Sequence, residues 1–179
     1  MNLNIDNENI EKSFDRIATE ILNKKLLFVN ETEFRLTEIE FYYYHEDSHK
    51  DNYTHEHKRD CGEWRFHNQG LDITFQSDNK SDGGILIRGI QVNNKYVNGP
   101  RKIIREIFEN FDKATKENKI LLSDSTVRNS KILKTFRHLP NKHQIPEFHN
   151  KHYRYLTDLE SLDIPNSIKE MIKKNSAYL

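Results

Sequence analysis

The sequence predicts a single α+β domain, a curved mixed or antiparallel sheet flanked by helices. Apolar stripes of helical period lie towards both ends, and β-branched and aromatic runs fill the middle. The length, 179 residues, suits one core spanning residues 1–179. Residues 1–9 are polar and are expected to form a flexible N-terminus. Residues 160–179 are expected to form a C-terminal helix.

Residues 8–23 read as a helix, because Phe14, Ile17, Ala18, Ile21 and Leu22 fall at i, i+3, i+4, i+7 and i+8. A short strand, Lys25–Val29, and a turn at residues 30–32 follow. Residues 34–44 are rich in aromatic and β-branched types, which favours a strand. Uninterrupted alternation places Phe34, Leu36, Glu38, Glu40, Tyr42 and Tyr44 on one face, with Thr37, Ile39, Phe41 and Tyr43 on the other. Neither face is wholly polar, so this strand is expected at the centre of the sheet. Residues 45–61 are polar and aperiodic, a loop. Trp64–His67 and residues 71–75 read as strands around a turn, and residues 84–90 as a buried strand whose one charge is Arg88. Pro100 opens a helix, since its missing N–H would be unpaired in a first turn anyway. Ile103, Ile104, Ile107, Phe108 and Phe111 form the inward stripe of that helix. A shorter helix is expected after residues 123–125, burying Ile132, Leu133 and Phe136. Residues 152–156 read as a late strand. A last helix opens at residues 164–166 with Ile168, Met171 and Ile172 on one side.

Composition narrows the classes of function. The chain carries 28 basic and 28 acidic side chains and one Cys. A lone Cys excludes an internal disulfide framework and fits a reducing compartment. No apolar run approaches the ~20 residues that span a bilayer, and the polar, acidic start does not resemble a secretory signal. A cytoplasmic protein with no membrane association is expected. Zero net charge conceals an asymmetry: residues 1–94 hold 11 Lys/Arg against 18 Asp/Glu, and residues 95–179 hold 17 against 10. A basic half can attract phosphates; equally, the charges can intermix on folding.

Three features could carry chemistry. Glu40 lies in a run of apolar and aromatic residues, where a carboxylate is costly to desolvate, and Arg88, in another apolar strand, is its natural partner. Such a pair can be structural or can face a pocket. His45, Asp47, His49, His55 and His57 fall within thirteen residues. His and carboxylate side chains suit zinc or iron, yet a solvated polar loop has the same composition, and neither HExxH nor CxxC occurs. Aromatic residues cluster around the same segments, as core or as surfaces on which bases stack at ~1–3 kcal/mol each.

In their order along the chain, EIEFY (38–42), HEDSH…YTH (45–55), GEWRFH (62–67), GLDI (70–73), ILIRGI (85–90) and NGPRKI (98–103) resemble the layout of the alkyladenine (3-methylpurine) DNA glycosylases. The resemblance spans about residues 10–115 and is loose over the C-terminal third. It rests on collinear order, since no single motif is specific. It implies the fold of that family, a monomer, and hydrolysis of an N-glycosidic bond to an alkylated or otherwise modified purine in DNA. No metal and no cofactor would be needed.

Carried over by position, Glu40 matches the catalytic carboxylate and Arg88 the arginine beside the attacking water. Tyr42 and His67 match aromatics that stack on the base. His55 matches the histidine that hydrogen-bonds the base, with His49 competing for the role. The chain departs from the family at Asp72, where an Asn that excludes guanine is expected; an ionised Asp only accepts hydrogen bonds and suits an exocyclic amino group. The short segment between His67 and Asp72 lacks the tyrosine hairpin that wedges into a duplex. Single-stranded or distorted DNA is therefore the expected partner, as it avoids the unstacking cost. Lys95, Arg101, Lys102 and Arg105, around the helix start, are expected to contact phosphates. Two other classes stay open: a metal-binding hydrolase built on the His45–His57 loop, and a nucleic-acid-binding module that keeps the fold without the reaction.

Overall fold

The computed structural model describes residues 1–137, 139 and 146–179. Helix α1 (Ile10–Lys24) leads into β1 (Lys25–Val29) and the long β2 (Thr32–His45). Then come β3 (His49–Lys50), β4 (Trp64–His67), β5 (Gly70–Thr74), β6 (Ser81–Val92) and β7 (Lys95–Asn98). Helix α2 (Pro100–Glu109) precedes β8 (Ile120–Asp124) and β9 (Leu133–Thr135), and α3 (Pro146–His149) precedes β10 (Arg154–Leu156). Helix α4 (Asn166–Lys174) and β11 (Ala177–Tyr178) end the chain. The spatial order is β11-β9-β10-β2-β6-β5-β4, with β1, β3 and β7 paired along its flanks and β8 paired to β1. The ladders among the described residues are antiparallel. The result is an α+β domain with β2 at its centre, as the mixed character of its two faces predicts.

Phe14, Ile17, Ala18, Ile21 and Leu22 of α1 are fully buried, and the Phe14 ring stacks on Phe41 of β2 at 4.4 Å between centroids. Ile103 and Ile107 of α2 join the same core with Leu71, Ile73, Ile85, Ile87 and Ile90 of the sheet. A smaller cluster, Leu133, Leu156, Leu159, Leu162 and Ile172, packs beneath α4. Residues 1–9 carry no helix or strand; Arg16 donates to the Asn2 and Asn4 carbonyls, and Tyr43 donates to Asn7.

Four sequence expectations are corrected. Alternation along β2 is broken: the β2–β6 register shifts between Leu36 and Glu38 and again between Glu38 and Ile39. Thr37 is the extra residue on β2 and Arg88 the extra one on β6, so Phe34 and Leu36 lie in the core with Ile39, Phe41 and Tyr43, while Glu38 and Glu40 face the other way. A bulge re-aims side chains in this way, and periodicity alone does not reveal where it falls. The helix expected after residues 123–125 is absent: Ile120–Asp124 pairs with β1, and Leu133–Thr135 with β10 and β11. Residues 160–179 are not one helix, since a 3-10 turn (Leu159–Ser161), α4 and β11 divide the segment, and Ile168 and Met171 are exposed. Of the α2 stripe, Phe108 is exposed and stacks on Phe66.

Candidate functional site

Cross-strand register assembles the site. Arg154 of β10 lies opposite Glu40, Glu40 opposite Leu86, Leu86 opposite Asp72, and Asp72 opposite Arg65. Residues in register share a face, so one row crosses five strands on the side of the sheet away from α1. It reads cation, anion, apolar, anion, cation. Strands lie ~4.8 Å apart, which separates the backbones carrying Glu40 and Asp72 by about 10 Å.

At one end of the row lies a buried charge cluster. Glu38 Oε1 accepts from Arg88 Nε at 3.1 Å and from Arg154 Nε at 2.8 Å, and Glu38 Oε2 accepts from Asn98 at 3.2 Å. Glu40 Oε2 accepts from Arg88 Nη1 at 3.2 Å and from the Tyr42 hydroxyl at 2.8 Å. Glu40 is fully buried and its Oε1 has no hydrogen-bond partner among the described residues. Burial opposes the charge on Arg88, but Glu40 and Glu38 together outweigh it and raise the guanidinium above its ordinary value. Burial first, and the charge of Glu40 second, hold the Tyr42 phenol well above its ordinary range, so it remains a donor to the carboxylate. Close approach is part of the design here: a Cβ on Gly89 would lie 2.7 Å from the Glu38 Cβ.

Tyr42 and Arg88 separate this cluster from a cavity of about 720 Å³. Strands β4 to β6 form its floor through Arg65, His67, Asp72 and Leu86, and the α2 start forms a wall through Gly99, Pro100, Arg101 and Lys102. Residues 52–55, Gln69, Gly83, Gly84 and Leu139 complete the lining. Asp72 lies 3.1 Å from His67 Nε2, which is not aligned for a hydrogen bond, and 3.7 Å from Arg65 Nη1. Arg65 also donates to the His55 carbonyl at 3.2 Å, tying the loop to the floor.

Of the residues singled out from the sequence, Tyr42, His55, His67, Asp72, Arg88, Arg101 and Lys102 thus line one cavity. Glu40 sits a layer beneath it. Lys95 and Arg105 lie off it, paired with Glu106 at 3.4 Å and Glu109 at 2.7 Å. The histidine loop does not gather. His49 is buried: Nδ1 donates to the Tyr43 carbonyl at 2.7 Å, leaving Nε2 to accept from Tyr153 at 2.9 Å. Burial pushes its pKa down, in keeping with a neutral ring. His57 Nε2 donates to the Gly83 carbonyl, and His45 Nδ1 accepts from Ser48. Among the described residues, no group of three His, Cys, Asp or Glu side chains could hold a metal ion.

Sequence reasoning missed Glu38 as a second partner of Arg88, Arg154 as a second cation on Glu38, and a second buried pair, Arg137 with Asp51 at 2.7 Å. The Arg137 guanidinium lies over the rings of Tyr42, Tyr53 and Tyr153 at 4.7–5.6 Å. Arg154 carried a usable signal, a charge inside an apolar strand, the same signal that marked Arg88.

No protein-family model matches the chain, and no curated protein is similar to it in sequence. Among the described residues, no helix is long and apolar enough to cross a membrane.

Proposed function

We propose that this cavity binds a purine nucleotide and that Glu40 drives hydrolysis of its N-glycosidic bond, the chemistry of the alkyladenine DNA glycosylases that the strand motifs resemble. The observation that carries this reading is the cavity floor. The cavity is lined by Tyr42, His55, His67, Asp72 and Arg88, and Tyr42 and Arg88 both bond a fully buried carboxylate, Glu40. Breaking the bond builds positive charge on the sugar. A carboxylate stabilises that charge and takes a proton from the attacking water. Arg88 and Tyr42 fix Glu40 Oε2, and the unpartnered Oε1 is the atom left to accept the water's proton. That step requires water to reach past Arg88 or Tyr42. His67 and Tyr42 offer ring faces to the base, and Asp72 accepts from an exocyclic amino group. The turn between β4 and β5, Asn68 and Gln69, is too short for a duplex wedge, which favours an unpaired nucleotide.

One observation favours a second reading. Glu40 has no exposed surface and is not part of the cavity lining, so the cluster could serve only to hold Arg88 in a binding module. Base release from alkylated or deaminated purine substrates, in single strands and as nucleotides, tests the two. Release by the wild type supports hydrolysis. Purine binding without release leaves the binding module as the better account.

A further inference from the structure

The cavity's charges balance except at one place. Arg88 and Arg154 are matched by Glu38 and Glu40, and Arg65 is matched by Asp72. Arg101 and Lys102 line the cavity wall and have no carboxylate partner among the described residues. The next cations along the same stretch, Lys95 and Arg105, are paired off the cavity by Glu106 and Glu109. Two positive charges without an acidic partner among the described residues therefore line the wall that α2 gives the cavity, and the cations on either side of them, Lys95 and Arg105, are paired. The fold deepens the effect. Gly99, at φ 106°, turns the chain into α2, no acidic side chain occupies the first turn of the helix, and no side chain caps it. The first-turn N–H groups add to the positive potential there.

From this we infer that the ligand is a free nucleoside monophosphate, whose monoester phosphate sits between Arg101 and Lys102, rather than a nucleotide inside a strand. The inference rests on the purine reading above and narrows its substrate. A monoester phosphate carries about −1.5 to −2 charges near pH 7, which two cations match. An internal phosphodiester carries one charge, and a strand needs further cations along its path. The cavity encloses about 720 Å³, within the ~300–1,000 Å³ typical of small-molecule sites. The reaction balances without a co-reactant: water oxygen bonds to the anomeric carbon, the bond from that carbon to the base nitrogen breaks, and the proton lost by water ends on the departing base. The products are a pentose phosphate and a free base.

The test is calorimetric binding of deoxyadenosine, its 5′-monophosphate and a short single-stranded oligonucleotide lacking terminal phosphates, with base release measured in parallel. The monophosphate should bind about 10–100-fold more tightly than the nucleoside, the range of a charge-assisted contact. The exposed double variant R101S/K102S should abolish that difference by bringing monophosphate affinity down to that of the nucleoside. Equal affinity for nucleoside and monophosphate overturns the proposal. So does an oligonucleotide that binds more tightly than the monophosphate with a log–log salt slope near about −3, the value for four phosphate contacts on a single strand. Base release from the strand but not from the monophosphate sinks this inference and spares the hydrolase reading. Phosphate-dependent binding without base release does the reverse.

Discussion

Glu40→Gln separates catalysis from structure in one substitution. In the wild type, Oε2 receives both Arg88 and Tyr42, while Oε1 has no hydrogen-bond partner among the described residues. A glutamine that places its oxygen at the Oε2 position keeps both bonds. Its NH₂ then occupies the unpartnered site, about where Oε1 lies 4.0 Å from Arg154 Nε. The cluster falls from two acids and two guanidiniums to one acid and two guanidiniums. Losing one partner of a buried pair costs ~3–5 kcal/mol. The Arg88 side chain is 21% exposed and Glu38 still contacts it, which sets the cost at the low end. About 3 kcal/mol corresponds to a Tm about 6–12 °C lower for a chain of this length. Loss of the general base lowers turnover a further ~10²–10⁴-fold per folded molecule. The assay is a thermal melt beside base release, both variants compared well below the lower Tm. A mutant that melts lower yet releases base at the wild-type rate would falsify the catalytic role and leave Glu40 as the structural partner of Arg88.

Three further outcomes are expected. Asp51→Asn strips the counter-charge from the fully buried Arg137; at ~3–5 kcal/mol the Tm should fall about 6–20 °C, and a shift under about 2 °C in a melt would contradict that pairing. Gly83→Ala should cost about 2–4 kcal/mol, because Gly83 has φ 145° and an added Cβ would collide with the Tyr42 carbonyl; denaturant titration measures it, and a neutral effect would contradict the close approach of β2 and β6 at Gly83. Stability should decline as pH falls below about 6.5, the ordinary histidine value. Burial depresses the pKa of His49 in the folded state, so the unfolded chain binds more protons in that window and folding loses free energy as pH drops. His152 is shifted the same way, also chiefly by burial. Urea titrations at about pH 7.5 and 5.5 should show a smaller loss for His49→Gln than for the wild type; an equal loss in both assigns the slope to other groups.

Much of this protein was determined by local sequence pattern. The stripe of α1, the start of α2 at Pro100, and the strand character of residues 25–29, 34–44, 64–67 and 84–90 follow from periodicity and side-chain shape, which act within a few residues. Two charges in apolar runs, Glu40 and Arg88, announced their pairing because neither could be buried alone. The tertiary structure decided what depends on which strands become neighbours. The paired bulges at Thr37 and Arg88 leave no mark in the alternation, yet they turn Glu38 and Glu40 away from Phe34 and Leu36. Residues 120–124 and 133–135 became strands because β1 and β10 offered open ladders, which satisfied their backbone groups better than a short isolated helix could. The histidines close in sequence were dispersed by separate backbone and hydroxyl partners. Among the described residues Arg101 and Lys102 have no acidic partner while Lys95 and Arg105 found acids, a distinction set by rotation along α2 and by the strand before it, not by composition.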